Sequence, residues 1–415
     1  MEMNLVLAIG IMIVIGFFGG LAMEKLKFPR ITGYIIIGIL LSPSLLNIIS
    51  ATTIENLDII TDIALGVIAF LIGGSLHLEP IRRLGKSITW ITLFQSLGAW
   101  IVVTLLLAFL SPFILTIPNA TFSHTYFPMA FIIGAVSCAT APAATLAIIQ
   151  EYKAKGPLTT TLLAVVALDD AIAVIAFSIA LGICQPLVNG GGISFYEMLG
   201  VPFLHIVESI AIGTLFGFAL TYMAKLIRKD GLLLVIVFGM IMLSIGVTNL
   251  LGICSILANM IAGFIVVNKA RKNEMIPILE GIEDVIFAIF FVLAGLHFDL
   301  SVMKVAGILA LLIVLGRCFG KYFGTRAGAT ISHASNEVKK YLGLALLPKA
   351  GVTIGLVLLA KRAFPTFGAI MMNAALASVI INELIAPPLT KYAIFKAGEA
   401  KVSNKPGKGK EDEKE

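Results

Sequence analysis

The sequence predicts an all-α integral membrane protein of about 13 transmembrane helices, on three observations: its composition, the length of its apolar runs, and the alternation of its basic connections. Of 415 residues, 59% are hydrophobic and 13% charged, with mean hydropathy +1.02. Soluble domains average about 45–50% apolar and about 25% charged residues, so this chain lacks the charge to cover itself in water. In lipid, only closed barrels and helices satisfy their own backbone. Runs of about 20 apolar residues without period-two alternation select the helix. The first run begins at Asn4 with no preceding Lys or Arg, which argues against a cleaved signal peptide.

Apolar runs read against breakers give thirteen segments, at about 3–22, 31–49, 55–76, 86–110, 127–150, 158–184, 201–226, 230–249, 252–268, 280–298, 303–326, 339–361 and 367–391. Charge then orients them. Twenty-four of the 30 lysines and arginines fall in alternate connections, beginning with Lys25, Lys27 and Arg30 and ending with the seven from Lys391 to Lys414. Only Lys304, Lys361 and Arg362 fall opposite, and Arg317, Lys321 and Lys349 lie inside apolar segments. The positive-inside rule puts the amino terminus outside and the carboxyl terminus in the cytoplasm of a bacterial or archaeal inner membrane. The net charge of +6 is thereby a matter of topology, and no nucleic-acid partner is expected. Residues 1–399 are read as the membrane domain and 400–415, charged and Gly/Pro-containing, as a disordered cytoplasmic tail.

The third segment reads DIALGVIAFLIGGSLHLEPIRRLG from Asp62, and the tenth DVIFAIFFVLAGLHFDLSVMKVAG from Asp284. With one short gap, Asp62, His77 and Glu79 align with Asp284, His297 and Asp299. The two segments run in opposite directions, so segments 1–6 and 8–13 read as inverted repeats with segment 7 as linker, an architecture of many secondary transporters.

Asp169 and Asp170 stand about 11–12 residues into segment 6, roughly 17 Å deep at about 1.5 Å per residue. An aspartate at the bilayer centre costs about 2.5–3.5 kcal/mol on insertion scales, so two in succession call for a function. Burial favours the protonated carboxyl and a nearby cation favours the carboxylate, so one site can hold either protons or an alkali metal ion. A partner cation is available in segment 11, LGRCFGKYFG, where Arg317 and Lys321 share a face beside a ridge of Gly316, Gly320 and Gly324; one of the two is expected to pair with the aspartates when no substrate ion is bound.

Segments 5 (CATAPAAT, with Thr140 and Pro142) and 12 (LLPKAGVTIG, with Pro348, Lys349 and Gly351) read as broken helices. Proline deletes a donor and frees carbonyls, and corresponding breaks in both halves point to a transport site. Thr140, Ser137 and the freed carbonyls are the expected oxygen ligands of an alkali cation, and Lys349 is expected to compensate the carbonyl ends of the half-helices. Asp58 and Asp62 are placed near the outer mouth, and Glu280, Glu283 and Asp284 near the inner one. Cys138, Cys184, Cys254 and Cys318 form no CxxC pair and read as small core residues. No metal cofactor, redox group or other cofactor is called for.

These residues resemble the bacterial sodium/proton antiporters of the NhaA/NapA type, in the cation:proton antiporter superfamily. The similarity covers nearly the whole chain and includes FPRITGYIIIGILLSPSLL, GVIAFLIGGSLHLEPIRRLGK, VALDDAIAVIAF and GKYFG. It implies a homodimer in which a core holding two crossed, discontinuous helices moves against a dimerisation domain. It implies Asp170 as the cation and proton carrier, and Asp169 as the acid that pairs with Lys321. The two-aspartate version is associated with electrogenic exchange. Some relatives carry an acid where Ala141 stands, which leaves open the choice among Na⁺, Li⁺ and K⁺. The expected activity is alternating-access exchange of a monovalent cation for protons, serving pH homeostasis. The competing reading is a sodium-coupled organic-anion symporter of the same general fold. An enzyme is not expected: an intramembrane aspartyl protease needs facing acids on separate helices, and no GxGD motif occurs. A passive channel lacks the repeated filter expected for one.

Overall fold

The computed structural model describes residues 4–26, 28–141, 145–146, 148–149, 152–188, 200–227, 230–269, 275–349 and 351–400, with backbone alone for 79–84 and 230. Residues 401–415 of the expected tail and Pro142 lie outside the described residues. No strand occurs among the described residues. The helices are α1 (Leu5–Lys25), α2 (Arg30–Leu41), α3 (Ala51–Asn56), α4 (Asp58–Ser75), α5 (Leu78–Ile114), α6 (Phe127–Val136), α7 (Pro157–Val188), α8 (Val201–Ala224) and α9 (Asp230–Leu251). They continue as α10 (Ser255–Lys269), α11 (Met275–Glu280), α12 (Glu283–Leu296), α13 (Met303–Ile331), α14 (Asn336–Ala345), α15 (Gly351–Ala363) and α16 (Pro365–Lys396). Among the described residues, eight helices are long and apolar enough to cross a membrane, and α2, α10 and the Phe122–Val136 stretch are shorter apolar helices. Side chains such as Phe113, 80% exposed, and Leu250, 89% exposed, stand on the outside. Water does not tolerate such a belt, and lipid does.

Local chemistry sets the ends of these elements. The helix expected over 31–49 stops at Leu41, because Pro43 drives Ser42 out of the helical region to ψ 158°. Segment 3 divides into α3 and α4 at Leu57, and α5 bends at Gly85, whose φ of +52° suits glycine. The first turn of α7 is capped from far along the chain. Glu399 accepts from the Leu158 and Thr159 amides at 2.7 and 2.8 Å and from Thr159 Oγ1 at 2.7 Å. A carboxylate there satisfies orphan amides and complements the helix dipole. The end of α16 thus anchors the helix that carries the aspartate pair.

Close approach of backbones holds the interior. A methyl group placed on Gly98 (α5) would lie 2.4 Å from the Gly320 carbonyl oxygen (α13), and one on Gly320 would lie 2.4 Å from the Gly98 oxygen. Gly324 stands in the same relation to Phe94. The glycine ridge of segment 11 therefore seats α13 directly on α5. A reciprocal contact also joins Gly38 of α2 to Gly295 of α12, and α4 and α10 approach equally closely, Gly73 against Met260 and Phe264, and Gly263 against Phe70 and Gly74. In the alignment of segments 3 and 10, Gly73 falls opposite Gly295.

Candidate functional site

Three elements converge on one buried cluster. Helix α7 presents Asp169 and Asp170, α5 presents Gln95 and Ser96, and α13 presents Arg317 and Lys321. Between them run two non-helical stretches, 139–141 after α6 and 347–349 after α14. These lie side by side, with the Ala141 amide donating to the Pro348 carbonyl at 3.0 Å. Both segments expected to break do so at these stretches.

The two adjacent acids stand in opposite circumstances. Asp169 is fully buried, and four donors surround it. Its Oδ1 accepts from Gln95 Nε2 and, at 2.8 Å, from Ser96 Oγ; its Oδ2 accepts from Thr140 Oγ1 and, at 2.8 Å, from Lys321 Nζ. The Lys321 ammonium also donates to Gln95 Oε1 at 2.8 Å and to Thr140 Oγ1 at 2.5 Å, which uses its three donors. Asp170 is 5% exposed and faces the other way. Its Oδ1 has no hydrogen-bond partner, and the residue lines a cavity of about 480 Å³. Glu280 and Glu283 line the same cavity, whose remaining wall is largely apolar and includes Phe287 and Phe291. The third acid of that group, Asp284, instead lies 3.6 Å from Arg30.

Arg317 does not pair with the aspartates. Its guanidinium donates to the Ser137 carbonyl at 3.0 Å, Ala139 at 2.6 Å, Pro348 at 3.2 Å, and Leu347. One helical turn separates it from Lys321, and that turn places it over the carbonyls that both breaks leave unpaired. The planar five-donor fork of arginine serves several acceptors at once, which a lysine cannot do. The hydrogen bonds to these carbonyls come from Arg317, and Lys349, expected to compensate the carbonyl ends, makes a different side-chain contact. It is buried, and its Nζ approaches Ser378 Oγ of α16 at 3.4 Å. Ser137 is also not turned to the acids: its hydroxyl donates to the Ile133 carbonyl at 2.7 Å. Asp58 and Asp62, placed near the outer mouth from the sequence, both lie against Arg362, at 3.3 and 2.6 Å.

Gln95 and Ser96 were not singled out in the sequence, although a Gln-Ser pair within an apolar segment is the kind of signal that marks an intramembrane site. Breaking a buried ion pair costs about 3–5 kcal/mol, because the partner left behind is an uncompensated charge. Lys321→Ala and Asp169→Asn are therefore each expected to lower the melting temperature in detergent. The double variant should lose less than the sum of the two, since residues in one network couple. Two single variants that melt like the parent protein would show that the pair does not hold α7 to α13.

A membrane domain whose described elements are all helical, with two broken segments side by side at a buried carboxylate pair, defines a secondary-transporter class of protein. The transmembrane sodium/hydrogen exchanger family profile matches residues 10–394, and the chain belongs to that family. It is similar to the Na⁺/H⁺ antiporter NhaS4 of Synechocystis sp., 27% identical over 402 residues that cover 93% of this chain and 95% of the relative. It is also similar to Na⁺/H⁺ antiporter 1 of Methanocaldococcus jannaschii, 23% identical over 382 residues, covering 86% of this chain and 85% of that one. Among solved structures, that of the sodium proton antiporter MjNhaP1 from M. jannaschii at pH 8 superposes with a TM-score of 0.76 at 18% identity. It covers 95% of this chain and 98% of its own, and it shows the same fold.

Proposed function

We propose that the chain exchanges Na⁺ for protons across the cytoplasmic membrane by alternating access, with Asp170 as the carboxyl that takes up either ion. The observation that carries this reading is the asymmetry of the pair: Asp169 is saturated by four donors, while Asp170 keeps an unpaired oxygen on the wall of a cavity. Asp170 binds and releases; the Asp169–Lys321 pair holds α7 against α13 and opens when the site is loaded. Glu280 and Glu283 draw cations into the cavity, on the side that the basic connections mark as cytoplasmic. The fold crosses the membrane thirteen times with the amino terminus outside, and its inverted halves are supported by the close glycine contacts. The working unit is a homodimer, and the exchange is electrogenic. Transport, not catalysis of a covalent reaction, is the activity.

The test uses proteoliposomes with an acidic interior and a fluorescent pH reporter. Added Na⁺, with no organic solute present, is expected to collapse the pH gradient, and Li⁺ and K⁺ in separate runs rank the ions. A gradient that no alkali cation disturbs would overturn the reading. Proton movement that requires an organic anion would favour the symporter instead.

A further inference from the structure

Threonines within helices ordinarily donate their hydroxyl to the carbonyl four residues earlier, and this chain follows that habit at Thr92, Thr160, Thr161, Thr221, Thr248 and Thr330. Thr145 and Thr353 do not. Each is buried, at 1% and 0% exposure, and each has a hydroxyl oxygen with no partner. The backbone before each is broken. Four residues before Thr145 stands Ala141, and four before Thr353 stands Lys349, both in the non-helical stretches and neither presenting a helical carbonyl. Both threonines line the same cavity as Asp170, whose Oδ1 is likewise unpaired. The other unpaired threonine hydroxyls, of Thr32, Thr61, Thr325 and Thr390, belong to residues that do not line that cavity.

We propose that Asp170, Thr145 and Thr353 together form the coordination site for the transported alkali cation, the two hydroxyls being its specificity-determining ligands. This rests on the exchange reading above and names the ligands within it. The donor chemistry suits such an ion: a carboxylate and two hydroxyls are hard oxygens. One carboxylate matches a single positive charge, whereas divalent sites recruit several. Among the described residues, no group of His, Cys, Asp and Glu is arranged to hold a metal by itself, so the neutral oxygens have to complete the set. Water in the cavity supplies the remaining ligands. Each hydroxyl comes from a different broken segment, so the ion bridges both breaks and α7 at once. Thr353 lies in the first turn of α15, where the helix dipole opposes a cation. That opposition keeps the site from holding its ion too tightly to release it.

Thr145→Val and Thr353→Val remove the oxygen and keep the branched shape. Each is expected to raise the KM for Na⁺ about tenfold, the factor that corresponds to 1.4 kcal/mol, with the maximal rate at saturating Na⁺ nearly unchanged. The ratio of Li⁺ to Na⁺ affinities should move with it, and serine, which restores the oxygen, should return KM to within about twofold of the parent. The Na⁺ concentration for half-maximal thermal stabilisation in detergent should rise in parallel, without reference to transport. A valine variant that does not purify folded is replaced by alanine at the same position and read by the same criteria. Parental KM values and ion ratio in the Thr145→Val/Thr353→Val double variant would overturn the proposal while leaving exchange itself intact. Absence of Na⁺-driven proton flux in the parent protein would instead remove the reading beneath it.

Discussion

Asp170→Asn is expected to abolish cation-dependent proton flux while leaving the protein folded. Asparagine keeps the size of the side chain but neither carries a charge nor exchanges a proton. A unit charge about 4 Å from a monovalent cation contributes about 4 kcal/mol at an effective dielectric constant of about 20. Its loss weakens binding by about a thousandfold, and the proton half of the cycle loses its carrier altogether. Stability should not fall, because Asp170 Oδ1 has no partner to lose, asparagine keeps an oxygen to accept from the Thr140 backbone, and the residue takes no part in the ion pair. The check is paired: fluorescence-monitored flux in proteoliposomes, and the melting temperature in detergent. Retained exchange would sink the assignment of Asp170. Lost exchange together with a collapsed melting temperature would show that the residue acts structurally.

Arg317→Met is expected to have the largest effect on stability. The guanidinium is fully buried and is the donor for carbonyls of Ser137, Ala139 and Leu347, drawn from both broken segments. Leaving a buried acceptor unpaired costs about 1–3 kcal/mol each, so a total loss above about 3 kcal/mol is expected. Little monodisperse protein should be recovered from the membrane. Arg317→Lys should recover part of the loss, since an ammonium has three donors but cannot fork across two chains. Recovered Arg317→Lys protein should bind Na⁺ with nearly parental affinity, because no aspartate depends on the arginine. A Met variant that purifies and melts like the parent would show that the crossing is held by other contacts, such as the Ala141–Pro348 bond. A Lys variant with strongly weakened Na⁺ binding would restore Arg317 to the acid cluster.

Much of this site was legible because lipid makes polar residues expensive. Asp169, Asp170, Arg317, Lys321 and the two proline-containing breaks stand out in apolar segments for that reason alone. The division of labour between the two cations was not legible. Arg317 and Lys321 share one face at a spacing of one turn, and nothing local says which meets an acid and which meets a carbonyl. Gln95 and Ser96 could have been flagged by the same polarity argument. Thr145 and Thr353 could not, because threonine in an apolar helix usually satisfies itself on its own backbone. Their unpaired hydroxyls and their place on the cavity wall are decided by packing.

The sequence by itself determined the helical membrane fold, the presence of the acid pair inside an apolar helix, and the position of both breaks. Hydropathy, proline chemistry and the cost of burying charge act on short stretches of chain, and each can be read residue by residue. The tertiary structure alone decided that Arg317 donates to carbonyls of both broken segments, that Asp169 is saturated, and that Asp170 faces a cavity with an oxygen to spare. Those outcomes depend on α13 lying against α5 at Gly98 and Gly320, and on two stretches more than two hundred residues apart running side by side. Partners chosen across such distances follow from packing, which no local pattern encodes.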